Sequence, residues 1–190
     1  MPVKTWIGSE LNPMDGLFTL NEACLSEIGN ALSLIRDNPL PLLMLRPSNF
    51  HMPKCKELIN TVFDCLENGF GFCLLDRLPL EDMTDNEAKS IYWLLSQMLG
   101  RPVAQKWCDG RMLYSVTDLG RPSGNGVRPD VTNEEQSFHT DNSYNICPPN
   151  IVGLLCLQPS MSGGLSRVVN MKTVLERMET SNKTNIQRLY

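Results

Sequence analysis

A chain of 190 residues with 42% hydrophobic content can bury the core of one sizeable domain. Its formal net charge of -4, with no basic block interleaved with aromatics, gives no footprint for a polyanion, so no nucleic-acid partner is expected. No apolar run approaches the roughly 20 residues that span a bilayer, and Met1-Pro2-Val3-Lys4-Thr5-Trp6 lacks the layout of a signal peptide, so no membrane association is expected.

In chain order, residues 19–37 read as an amphipathic helix, with Thr19 and Glu22 as a capping box and Leu25, Ile28, Leu32 and Ile35 along one face. Asn38-Pro39-Leu40-Pro41 ends it. Pro53 opens a second helix carrying Leu58, Ile59, Val62 and Leu66, which Gly69 closes where a left-handed residue is wanted. Phe70 to Asp76 is an apolar run of strand length, suited to burial on both faces. A third helix is capped by Thr84 with Glu87, buries Ala88, Ile91, Leu95 and Met98, and stops at Gly100.

Beyond Gly100 the character changes. Short segments at Val103–Trp107, Met112–Thr117, Ser137–Tyr144, Ile151–Leu157 and Leu165–Asn170 alternate with Gly- and Pro-rich turns, the pattern of antiparallel β structure. The turn Asp118–Asp130 is too long for a simple hairpin and reads as either a mobile lid or a disordered insert. Helices first and strands second predict an α+β, mainly β molecule, with a jelly-roll core and helices packed outside it. Such a core needs about eight strands, and the chain supplies too few, so it is expected to be incomplete.

The third of those segments is Ser137-Phe138-His139-Thr140-Asp141-Asn142-Ser143-Tyr144. On a strand, His139 and Asp141 share one face, and a nitrogen beside an anionic oxygen grips a borderline metal such as Fe(II). A second imidazole would complete a two-His-one-carboxylate triad. The rival chemistries lack their motifs. Gly164-Leu165-Ser166-Arg167-Val168 is short of the second glycine of a nucleophile elbow, and Gly69 and Gly71 have no third glycine in register for a nucleotide. Seven scattered cysteines with no Cys-x-x-Cys pair suit reduced thiols, mostly as core residues, in a cytoplasmic protein.

The run from Phe138 to Val169 resembles the taurine dioxygenase (TauD/TfdA-like) family. It places His139-Thr140-Asp141, Pro148-Pro149, Gly153-Leu154-Leu155 and Gly163-Gly164-Leu165-Ser166 in the family's order, with Ser166 27 positions after His139. Gly69-Phe70-Gly71-Phe72, Leu78-Pro79, Tyr92-Trp93 and Leu99-Gly100-Arg101-Pro102-Val103 with Gln105 are similar to its N-terminal region, as are Asp118, Gly120, Arg128 and Thr132. The family-like region is 65–178. Residues 1–50 are a loosely matching helical lead-in, and 1–190 reads as the N-terminal portion of one domain.

The resemblance implies a double-stranded β-helix (jelly-roll, cupin-like). It also implies an Fe(II)- and 2-oxoglutarate-dependent dioxygenase that uses O2 to oxidise a small organic substrate while 2-oxoglutarate goes to succinate. His139 and Asp141 would be two of three iron ligands, and Ser166, where the family usually has Thr, would bond the 2-oxoglutarate carboxylate. Arg128, Asn133, Asn142 and Tyr144 flank the site as candidate substrate contacts. The family's second iron-binding His and its 2-oxoglutarate-clamping Arg lie well over a hundred residues beyond the first motif, so a C-terminally truncated chain, inactive alone, is expected. The sequence's one other histidine, His51, lies in a linker before a helix. The alternative is a non-catalytic or decayed jelly-roll module.

Overall fold

The structure is a computed structural model that describes residues 3–105, 109–122, 124, 126–143, 146–181 and 183–187, the side chain of Lys183 excepted. The chain divides into two compact units. One comprises Met1–Gly100 with Val168–Tyr190, and the other is Arg101–Arg167.

The first unit is built on three helices, α1 (Glu22–Asp37), α2 (Pro53–Asn68) and α3 (Asp85–Leu99), all in mutual contact. On α1 the buried stripe is Cys24, Ile28, Ala31, Leu32 and Ile35, while Leu25 is exposed. A helical face repeats every three to four residues, and the stripe starts one residue earlier than the leucines suggest. The helix starts later than expected as well. Asn21, not Thr19, accepts the Cys24 amide at 2.9 Å and caps it. The capping box of α3 forms as expected, with Thr84 Oγ1 accepting from the Glu87 amide and Glu87 Oε2 accepting from the Thr84 amide. Ala88, Ile91, Leu95 and Met98 are buried, joined by Trp93 and Leu94.

Two longer-range bonds set the helix arrangement. Glu27 of α1 caps α2 from a distance, its Oε1 and Oε2 accepting from the Lys54 and Cys55 amides at 2.9 Å each. Burial pushes the Glu27 carboxyl up, but those two amides outweigh it and leave it below the ordinary carboxylate range. Arg36 reaches from α1 to α3, donating through Nε to Glu87 Oε1 at 2.7 Å and through Nη2 to Asp82 O at 2.7 Å.

Gly69 does end α2, though for a different reason. Its φ is -103°, which is not left-handed, but a Cβ there would stand 2.7 Å from Cys65 O. The left-handed residue is Gly71, at φ +75°. Gly100, at φ -173°, is extended. The strand expected over residues 70–76 shortens to β2 (Leu74–Asp76), which pairs in parallel with β1 (Leu17–Thr19), Leu17 opposite Leu74 and Thr19 opposite Asp76. A parallel pair needs a crossover, and α1 and α2 provide it.

Helices α4 (Met171–Ser181) and α5 (Lys183–Ile186) follow. Asn170, which is buried, accepts the Thr173 amide at 2.9 Å and donates to Lys4 O at 2.9 Å. Thr173 Oγ1 accepts from the Trp6 amide and donates to Trp6 O, both at 3.0 Å. The N-terminal segment is thereby stitched to α4.

The second unit departs furthest from expectation. Among its described residues there is no strand and no α-helix, and the regular structure is a single 3-10 turn, Pro129–Val131. Among the described residues the strand-like segments over 103–107, 112–117, 137–144 and 151–157 form no strand pairing, and neither does 165–170, which straddles the two units. Parts of 103–107 and 137–144 lie outside the described residues. Apolar alternation signals an extended segment, but a strand also needs a neighbour for its N–H and C=O groups, which alternation does not supply. The apolar side chains stay in contact with solvent, Leu154 80% and Leu165 81% exposed. The six described cysteines are free thiols. Cys24 and Cys55 are core residues, while Cys147 and Cys156 are exposed against expectation.

Candidate metal centre

His139 and Asp141 meet, but not on a strand. Residues 138–140 have no regular structure, and Asp141–Ser143 form a turn in which Asn142 takes φ +52°. Asparagine tolerates that left-handed conformation better than most residues, so the Asp-Asn-Ser sequence turns where an extended run was expected. The turn still leaves His139 Nε2 3.5 Å from Asp141 Oδ1.

The other ring nitrogen is committed. His139 Nδ1 lies 2.7 Å from Ser137 O. A carbonyl only accepts, so Nδ1 is the donor there and Nε2 is the nitrogen turned to Asp141. Nε2 and the Asp141 carboxylate face one small gap. The arrangement of a ligating imidazole whose remote N–H is tied to a carbonyl is the one that metal sites use to fix a tautomer. A single imidazole nitrogen and a carboxylate oxygen are donors that suit ferrous iron. Both side chains are about half exposed, at 52% and 51%.

Among the described residues no group of three or more His, Cys, Asp or Glu side chains converges. His51 belongs to the first unit, where it is exposed on the wall of a shallow recess of about 290 Å³ with Phe50, Met52, Lys56 and Met98.

The remaining sequence candidates are dispersed. Ser166 is exposed two residues beyond Gly164, and neither it nor Asn133, also exposed, hydrogen-bonds to His139 or Asp141. An ion pair between Arg167 Nη1 and Glu135 Oε1, at 3.2 Å, does bring the stretch holding Ser166 beside the one leading to His139. Both partners are largely exposed, so the tether is weak. Asn142 occupies the turn itself, and Tyr144 lies outside the described residues. Arg128 donates through Nε to Asp130 Oδ1 at 2.9 Å, while Asp130 Oδ2 accepts from Tyr114 Oη at 2.7 Å. Burial raises the Asp130 carboxyl, but the bonds from Tyr114 and Arg128 outweigh it and leave it below its ordinary value. The hydrogen bond to Asp130 pushes the Tyr114 hydroxyl up. Sequence reading passed over Asp130 and Tyr114, whose partnership spans 16 residues and follows no local motif.

The His-x-Asp pair, followed by Gly-Gly-x-Ser, is similar to the motif of metal-dependent oxygenases. The chain belongs to the taurine catabolism dioxygenase TauD, TfdA family, whose model matches residues 37–190. The match extends beyond the 65–178 region at both ends. Members of that family have a jelly-roll fold and are Fe(II)- and 2-oxoglutarate-dependent oxygenases. Among curated proteins the chain is similar to the FR-33289 synthase of Streptomyces rubellomurinus (strain ATCC 31215), 29% identical over 149 residues, which cover 77% of this chain and 42% of that protein. The chain thus spans about two-fifths of the length of the curated relative it matches. Among the described residues no helix is long and apolar enough to cross a membrane.

Proposed function

We propose that this chain supplies the His-x-Asp part of an Fe(II)- and 2-oxoglutarate-dependent dioxygenase site acting on a small organic substrate, and that both units belong to one TauD/TfdA domain. The observation that carries this reading is the His139 ring itself: Nδ1 held by Ser137 O at 2.7 Å and Nε2 turned to Asp141 Oδ1 at 3.5 Å. His139 and Asp141 would hold the iron, and Ser166 would donate to a carboxylate of 2-oxoglutarate. Bound iron with 2-oxoglutarate and O2 supplies oxidising power. The chain's own part is to aim Nε2 and to orient the co-substrate.

Two donors from one segment are a weak grip, and their half exposure leaves water in competition. The 190-residue chain alone is therefore expected to bind Fe(II) weakly and to make no succinate from 2-oxoglutarate. An anaerobic Fe(II) titration followed by calorimetry, with and without 2-oxoglutarate, tests the site. His139→Ala and Asp141→Ala should each weaken binding by about tenfold or more, since even the outer partners of such ligands cost that much. Binding of equal strength in wild type and both variants would sink the proposal. The same half exposure favours a second reading, a non-catalytic or decayed jelly-roll module, for which the titration returns no specific binding at all.

A further inference from the structure

Two of the core cysteines face each other across the seam between α1 and α2. Cys24 and Cys55 are both 0% exposed, and both are free thiols. Cys55 Sγ lies 3.6 Å from Cys24 O, and the same thiol hydrogen-bonds to the side chains of Cys24 and Glu27. Both helices are pinned at this point. The Asn21 side chain holds the Cys24 amide and Glu27 holds the Cys55 amide, each at 2.9 Å. Burial, then the neighbouring Cys24 and Glu27, push the Cys55 thiol well above its ordinary value. A thiol must ionise and be reached before it reacts, so the closed pair is inert. Reaction needs α1 to part locally from α2, which admits water and reagent together.

We infer that Cys24 and Cys55 form an oxidant-responsive staple, dormant while α1 and α2 are packed and joined as a disulfide by a small-molecule disulfide when the seam opens. One protein thiol gives up its proton, and its sulfur attacks the small disulfide, leaving a mixed disulfide on the protein and releasing one small thiolate. The second protein thiol, likewise deprotonated, attacks the protein-bound sulfur and expels the other small thiolate. The two leaving thiolates take up the two protons. The protein thiols are thereby oxidised by two electrons, and one small disulfide is reduced to two thiols. The partners start within hydrogen-bonding reach, so the bond needs little backbone movement. It closes a loop on the 30 residues between them, which restricts the unfolded chain and leaves the packed helices in place. The staple makes no use of His139 or Asp141.

The test is incubation of the 190-residue chain with oxidised glutathione, then trapping of the remaining thiols and peptide mapping by mass spectrometry without reduction. The map separates a Cys24–Cys55 link from any bond among the other cysteines. The link should form slowly in buffer and several-fold faster in urea well below the unfolding midpoint. Glu27→Ala, which frees the start of α2, should speed it several-fold as well. The linked protein should melt about 5 °C or more above the reduced one, and a reducing agent should reverse the rise. Cys24→Ser and Cys55→Ala should each form no such link and show no such rise. Where either variant fails to fold, the wild-type map and melting curves decide alone. A pair that stays reduced until the whole first unit unfolds, a rate indifferent to Glu27→Ala, or a linked protein that melts no higher overturns the staple.

Discussion

Glu87 serves two partners, closing the capping box with Thr84 and receiving Arg36 from α1. The hydrogen bond from Arg36, then those from Thr84, hold its carboxyl down from an ordinary value of 4.5 to about 2. A carboxyl depressed in the folded state stabilises fully above its unfolded value, and that stabilisation is lost as pH falls toward the folded one. The Tm of the first unit should therefore drop between about pH 4.5 and 2 more steeply in wild type than in Glu87→Gln, as circular dichroism would show. A parallel pH dependence in both proteins removes Glu87 from the account. Thr84→Ala, which takes only the cap, should cost about 1 kcal/mol by denaturant titration. The box was legible in the sequence because its partners are three residues apart. Arg36 and the distant cap from Glu27 were not, since 51 and 27 or 28 residues separate those partners and no local pattern records them.

For whole elements, the three helices could be read because each carries its own apolar period and its own stop. The shift of one residue along α1, from Leu25 to Cys24, shows what periodicity leaves open. Cysteine buries as readily as leucine, so the true stripe was masked by residue type. Leu94 of α3 is wholly enclosed, and Leu94→Ala should lose about 2–5 kcal/mol in urea, whereas Leu25→Ala on the exposed side should lose far less. Equal losses would mean that the register of α1 is wrong. The strands fared worse for a physical reason. A helix satisfies its own backbone, while a strand depends on a partner that may be anywhere in the chain. The pairing of β1 with β2 was invisible for that reason. His139 and Asp141 still approach each other without that strand, because two side chains two positions apart can meet across a turn as well as on one face.

Across the whole molecule, the two units differ in how much apolar surface they withdraw from water. The first encloses Ile28, Leu45, Ile91 and Leu94 almost completely, while in Arg101–Arg167 Phe138, Leu154 and Leu165 stay largely exposed. A hydrophobic dye such as ANS should fluoresce strongly with the folded chain, and substituting Leu154 and Leu165 with Lys should cut that signal while leaving the α3 amides protected. A dye signal unmoved by those changes would place the sticky surface elsewhere.

The stitch between α4 and the N-terminal segment bears on how the chain emerges from the ribosome. Trp6 and Lys4 wait for Thr173 and Asn170, residues 166 or 167 positions later in synthesis, with the whole of Arg101–Arg167 made in between. At about 5–20 residues per second, that delay runs to roughly ten to thirty seconds. Throughout it the three helices can gather and the Trp6 indole can meet Phe70 O and Phe72, but the seam to Thr173 and Asn170 stays open, the last of the first unit to be translated.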